Sequence, residues 1–132
     1  MIASQHGHVD VARTLVECGA STDIRDGHGD SALIWGSVKG HVGIVELLLK
    51  NGADVNSANN ENWTPLMAAS GRSHMNVVSV LLQYGAQIDQ QRQMGASALI
   101  ISCQLGHVEV ARTLIDGGAS VDVRDEYGNS AL

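Results

Sequence analysis

The sequence predicts an all-α repeat solenoid, a stack of helix-loop-helix units. Three observations predict it. The pair Gly-Ala recurs at Gly19-Ala20, Gly52-Ala53, Gly85-Ala86 and Gly118-Ala119, every step being 33 residues. Histidine keeps the same beat at His8, His41, His74 and His107, and a small hydroxyl residue keeps it at Ser31, Thr64, Ser97 and Ser130. The 132 residues hold four whole periods, enough for neighbouring units to bury one another's apolar faces. A fixed period of this length describes a linear stack, in which no closed catalytic core is expected.

Taken in order, residues 1–25 form a partial unit. Aligned on the period, Met1 matches Ile34, so the chain opens inside a first helix whose Ser-Ala-Leu start is missing. The unit 26–58 shows the whole grammar. Asp26-Gly27-His28-Gly29-Asp30 is dense in turn formers. Ser31 follows, and its hydroxyl can accept from a free backbone N–H in the first turn of a helix. At the same place in unit 59–91, Thr64-Pro65 pairs a cap with proline at the first helical position, where its missing N–H costs nothing.

The first helix is expected to run to about Val38 and to break at Gly40, and a second starts near His41. In that second helix Val42, Val45, Leu48 and Leu49 fall on one stripe at helical spacing. The matching stripes are Met75, Val78, Leu81, Leu82 and Val108, Ala111, Leu114, Ile115. Glu46 and Lys50 stand four apart, a pair worth roughly 0.2–0.5 kcal/mol. Gly52 ends the helix in the left-handed conformation that glycine adopts without strain. Ala53-Asp54-Val55-Asn56 is expected to lead out as an extended segment. Unit 92–124 repeats the pattern and 125–132 begins a further one, so the chain reads as a window on a longer array. The near recurrence of residues 7–15 at 106–114 points to duplication of several repeats together.

The unit resembles the ankyrin repeat. The residues that carry the likeness are Thr64-Pro65-Leu66-Met67-Ala68-Ala69, Gly40-His41-Val42, and the run from Val45 to Asn56 that includes Gly52-Ala53-Asp54. The resemblance implies antiparallel helix pairs, β-hairpin turns projecting at about a right angle, and a concave groove lined by hairpins and first helices. Two departures stand out. The histidine that ends the family's Thr-Pro-Leu-His motif is replaced by Ile34, Met67 and Ile100, so apolar packing should replace hydrogen bonding there. Proline is missing from three of the four motif copies, at Ser31-Ala32, Ser97-Ala98 and Ser130-Ala131.

Composition narrows the function classes. The net charge of −6 repels phosphate backbones, and two Trp, two Tyr and no Phe leave little to stack bases. Nucleic acid is therefore not expected as a partner. Apolar runs no longer than Ala98-Leu99-Ile100-Ile101, far below the roughly 18 residues of a membrane helix, leave direct membrane insertion unexpected too. Cys18 and Cys103 sit three repeat steps apart, about 25–30 Å at helix spacings of roughly 8–10 Å. A disulfide needs Cα atoms within about 7 Å, so the two thiols are expected free, in an intracellular, cytoplasmic or nuclear, compartment. A monomer is expected, with end-to-end association as the alternative that uncapped repeats allow.

No catalytic residue, cofactor site or metal site is expected. The histidine ladder is too widely spaced for zinc, whose ligands must converge within about 2.1 Å, and each ring should hydrogen-bond backbone ahead of the second helix. His6 and His28 stand outside the ladder as solvated turn or groove residues. Cys103 reads as a buried apolar filler, and Gly27-His28-Gly29 lacks the strand and the Lys-Ser/Thr of a phosphate loop. The partner-binding positions implied by the resemblance are the hairpin tips His28, Asp30, Asn60, Glu61, Trp63, Gln93, Met94, Glu126 and Tyr127. The groove-facing ends of the first helices add Lys39, Arg72, Gln104 and Leu105, with Gln5, His6 and Val38. Trp63, flanked by polar residues, has the character of an interface anchor, whereas Trp35 should pack in the core. Asn56 sits where such arrays carry a hydroxylated asparagine, and the plainer reading is a hairpin residue bonding local backbone. The expected function is a protein-binding scaffold with an unidentified protein partner. The alternative is a regulatory or targeting segment of a larger multidomain enzyme or membrane-associated protein.

Overall fold

Hydroxyl caps start the first helices where the sequence places them. The Ile34, Met67 and Ile100 N–H groups donate to Ser31 Oγ, Thr64 Oγ1 and Ser97 Oγ at 3.2, 3.3 and 3.3 Å. In the computed structural model, which describes all 132 residues, eight α-helices form four antiparallel pairs. They are α1 (Ile2–His6) with α2 (Val9–Glu17), α3 (Ala32–Lys39) with α4 (Val42–Lys50), α5 (Pro65–Gly71) with α6 (Met75–Gln83), and α7 (Ala98–Gln104) with α8 (Val108–Asp116). First helices pack on first helices and second on second along the stack. One apolar cluster of 23 buried residues runs through all four pairs, so the repeats share a core.

Ile34, Met67 and Ile100 are among the buried residues, at 2%, 1% and 2% exposure, so apolar packing does stand where the motif's histidine would. The four glycines of the Gly-Ala pairs all have positive φ, from 83° to 97°, directly after the second helices.

Three expectations need correction. The second-helix stripe is not buried as drawn: Ile44 with Val45, Val77 with Val78, and Val110 are fully buried, whereas Met75, Val108 and Ile115 are exposed. The inner second helices α4 and α6 each have another second helix on both sides, so their buried surface is wider than one stripe and rotated from it. Val108 and Ile115 belong to the last pair, whose outer side nothing covers. The exit from Ala53 is not extended, because the Ser57 N–H closes a turn on the Asp54 carbonyl at 3.1 Å. The hairpins, finally, are reduced to single antiparallel bridges, Arg25 with Ser31 and Gln91 with Ser97.

Candidate functional site: the concave groove

The groove begins with how each hairpin closes on itself. Asp26 Oδ1 accepts the His28 and Asp30 N–H groups at 2.9 and 3.0 Å, and its Oδ2 accepts the Trp35 indole N–H at 2.9 Å. Asn59 repeats this with Glu61 and Trp63, and Asp125 with Tyr127 and Asn129. The Trp35 indole N–H, followed by the backbone donors, holds the Asp26 carboxyl below the usual carboxylate range. The Asn129 side chain, then the backbone donors, does the same for Asp125.

Arg92 breaks the series, since a guanidinium cannot accept. That turn is a 3₁₀ turn over Gln93–Gly95, with Met94 forced to φ 68°. The Arg92 guanidinium instead lies over Trp63, 5.0 Å from the ring centroid, a cation–π contact.

Hairpins are also laced to one another. The Asn60, Gln93 and Glu126 N–H groups donate to the His28, Glu61 and Met94 carbonyls of the preceding hairpin at 3.2, 3.3 and 3.1 Å. Gly95 makes this approach close enough that a Cβ would lie 2.7 Å from the Glu126 nitrogen.

The helices behind are tied by the histidine ladder. His41 Nε2 donates to the Gln5 carbonyl at 3.3 Å and His74 Nε2 to the Val38 carbonyl at 3.0 Å, so each ring bonds the first helix of the repeat before it. The bond to backbone was expected; its crossing of the repeat boundary was not visible in the spacing. At Gly7 and Gly40 a Cβ would sit 2.8 and 2.7 Å from these rings. Ser73 fills that place in the third repeat, at φ 59°. Its side chain denies His107 the same seat, and that ring uses Nδ1 to reach the Ser70 carbonyl, one residue earlier, at 2.9 Å.

Between the hairpin wall and the first helices lies a cavity of about 590 Å³. Of the predicted partner-binding residues, Asp30, Lys39, Trp63, Arg72 and Leu105 border it. His28, Asn60 and Glu61 border an adjoining depression of about 300 Å³ that shares Asp30 and Trp63. Gln93, Met94, Glu126 and Tyr127 are exposed on the third and fourth hairpins, where Tyr127 Oη donates to Met94 Sδ at 3.7 Å; Gln104 is exposed but outside the cavity.

Trp35 does not pack in the core: it is half-buried and lines the cavity, because its indole must turn outward to reach Asp26. The missed signal was an acceptor, Asp26, on the preceding turn. Cys103 is not fully buried either, and it lines a cavity of about 440 Å³ on the outer side of the last pair, while Cys18 is exposed. Asn56 Oδ1 accepts the Gln87 N–H at 2.8 Å, tying two repeats, and Asp89 binds the Ser120 N–H in the same way.

A stack of helix pairs with a shared core and a one-sided groove defines a repeat solenoid of the kind that presents a surface rather than enclosing a site. The family model for ankyrin repeats matches residues 1–59 and 56–125, and the chain belongs to the ankyrin repeat family. Ankyrin repeats are generally protein–protein interaction modules. A comparison with curated proteins returned no match. No helix is long and apolar enough to cross a membrane.

Proposed function

We propose that the chain is a non-catalytic scaffold that binds a protein partner through its concave face. The observation that carries this reading is the cavity lined by Trp35 and Trp63, both half-buried and both held in place before any partner arrives, one by Asp26 and the other by Arg92. Aromatic side chains fixed in advance lose little entropy on binding, and tryptophan is enriched among the residues that dominate interface energies. Trp63→Ala with Tyr127→Ala should weaken capture of the partner from a cell lysate while helical circular dichroism stays intact. Undiminished capture by that variant would remove the groove as the binding face.

A second reading, as a regulatory or targeting segment within a larger multidomain protein, draws on the apolar side chains exposed on both end pairs. Ile2, Val11 and Leu15 are 76%, 54% and 50% exposed, and Val108 and Ile115 are 63% and 46%. Surfaces of this kind suit further units stacked on either side. Polar capping repeats fused at both ends should then raise the melting temperature; no change would show that these faces need no cover. Asn56 is the position where asparaginyl hydroxylation would fall, and an intact mass that gains no oxygen after exposure to such an enzyme rejects it.

A further inference from the structure

One repeat position decides the chemistry of the helix wall. Lys39, Arg72 and Leu105 stand one period apart at the ends of α3, α5 and α7, all three exposed and all three bordering the cavity. On a chain of net charge −6, this wall carries two cations in succession. Neither has a carboxylate within 4.0 Å; the chain's one ion pair, Glu46 with Lys50 at 3.9 Å, lies on α4.

The single carboxylate on the cavity border, Asp30, accepts the Asn59 side-chain N–H at 2.7 Å and is engaged with the next hairpin. The cavity floor is apolar, formed by Ile34, Val38, Ala68 and Ile101 between the two tryptophans. Gly71 deepens it: a Cβ there would stand 3.3 Å from Ile101 and 4.0 Å from the Trp63 ring. Unpaired cations beside a cleft with an apolar floor and two indole walls call for a ligand with carboxylates beside a bulky apolar group.

We infer that the groove takes an extended, acidic peptide segment of the partner, two carboxylates meeting Lys39 and Arg72 and a bulky apolar side chain meeting Leu105 and the tryptophan cleft. This inference rests on the scaffold reading above and specifies its partner. The spacing follows from the repeat. Neighbouring first helices lie roughly 8–10 Å apart. A polyproline-type segment advances about 3.1 Å per residue with three residues per turn, so side chains three apart share a face and span about 9 Å. The matching segment therefore reads acid, two residues of any kind, acid, two of any kind, and then leucine or an aromatic. Lying along the groove, it pairs each charge with one repeat.

The test is selection of random peptides displayed on phage against the whole chain, run beside the same selection against Lys39→Glu with Arg72→Glu. Both residues are exposed, and helical circular dichroism checks that the variant folds. Selection on the unaltered chain should enrich acidic peptides with an apolar residue at the third position of the triplet spacing. The charge-reversed chain should enrich lysine and arginine instead and bind the acidic peptides about tenfold or more weakly. Binding to the unaltered chain should weaken as salt rises.

Two results overturn the inference while leaving the scaffold standing: neutral or basic peptides enriched on the unaltered chain and lost with Trp63→Ala, or acidic peptides held equally by both chains. Acidic peptides that bind Trp63→Ala undiminished overturn it as well, by removing the cleft from the site. If no peptide is enriched on either chain, the groove reading falls and this one with it.

Discussion

The hairpins around Asp26 and around Arg92 occupy the same place two repeats apart, and they close in opposite ways. At Asp26 one carboxylate satisfies two backbone donors and an indole, and no residue of that turn except Gly29 needs positive φ. At Arg92 no acceptor is present, Met94 and Gly95 both take positive φ, and the arginine Nε is buried without a partner. One hold is common to both turns: the Gln91 side-chain amide donates to the Gly95 and Arg124 carbonyls, as the Arg25 guanidinium donates to the Gly29 and Ala58 carbonyls at the Asp26 turn. What the turn loses, the groove gains, because the released guanidinium covers Trp63. A repeat array can tolerate this, since the hairpins on either side bond the irregular one through its backbone and fix its position. Local disorder of bonding at one unit becomes order at its neighbour's aromatic ring.

The contrast can be broken most severely at Gly95. Gly95→Ala drives a Cβ into the backbone of the next hairpin and strains φ 80°, and should cost about 2–4 kcal/mol in urea unfolding. Gly128→Ala, at φ 81° with open space around it, should cost only the strain, about 1–2 kcal/mol. Equal losses would mean that the hairpins are not in the close register described.

The next effect lies at Asp26. Its carboxyl titrates lower in the folded chain than the ordinary value of 3.8, so its contribution is present above that value and lost as pH falls through the lower folded one. On acidification the Trp35 indole N–H resonance should shift with this titration while that of Trp63, whose hairpin is closed by the amide of Asn59 and whose ring lies under Arg92, stays put. Asp26→Ala should produce the Trp35 shift at neutral pH and lower the unfolding midpoint.

A smaller change, of opposite sign, is expected at Met94. Met94→Gly relieves the left-handed strain and should stabilise by up to about 1 kcal/mol. Smallest of all is Arg92→Met. Loss of a cation–π contact of about 0.5–1 kcal/mol is offset by removal of an unpaired buried nitrogen, so stability should barely move. The readout is Trp63 fluorescence, which should shift as the ring gains freedom; an unchanged spectrum would show that the arginine does not hold it.

Much of the fold was legible because the repeat multiplies weak signals. Ser31, Thr64 and Ser97 cap their helices as the period indicated, and the glycines after the second helices turn left-handed at every copy. What one copy suggests, four copies establish. The readings that failed depend on contacts made outside the helix that was read, to a neighbouring repeat or to a turn of the same one. Met75 and Val108 have the helical spacing of core residues, but their burial is set by which side of the second helix another pair covers. Trp35 reads as core within its helix and becomes a groove residue through an acceptor nine positions back. The groove's unpaired cations, Lys39 and Arg72, were visible as positions, but their lack of carboxylate neighbours is a property of the assembled wall.

The histidine ladder has a mechanical consequence. Each repeat boundary is crossed at the helices by one imidazole-to-carbonyl tie, and the tie between the third and fourth repeats is seated differently from the other two. Pulled from its two ends, a solenoid whose units touch only their neighbours yields one boundary at a time. Force–extension traces should then show successive small ruptures, with one of them set apart from the rest. Under tension the stack behaves as a short chain of springs, each with its own latch.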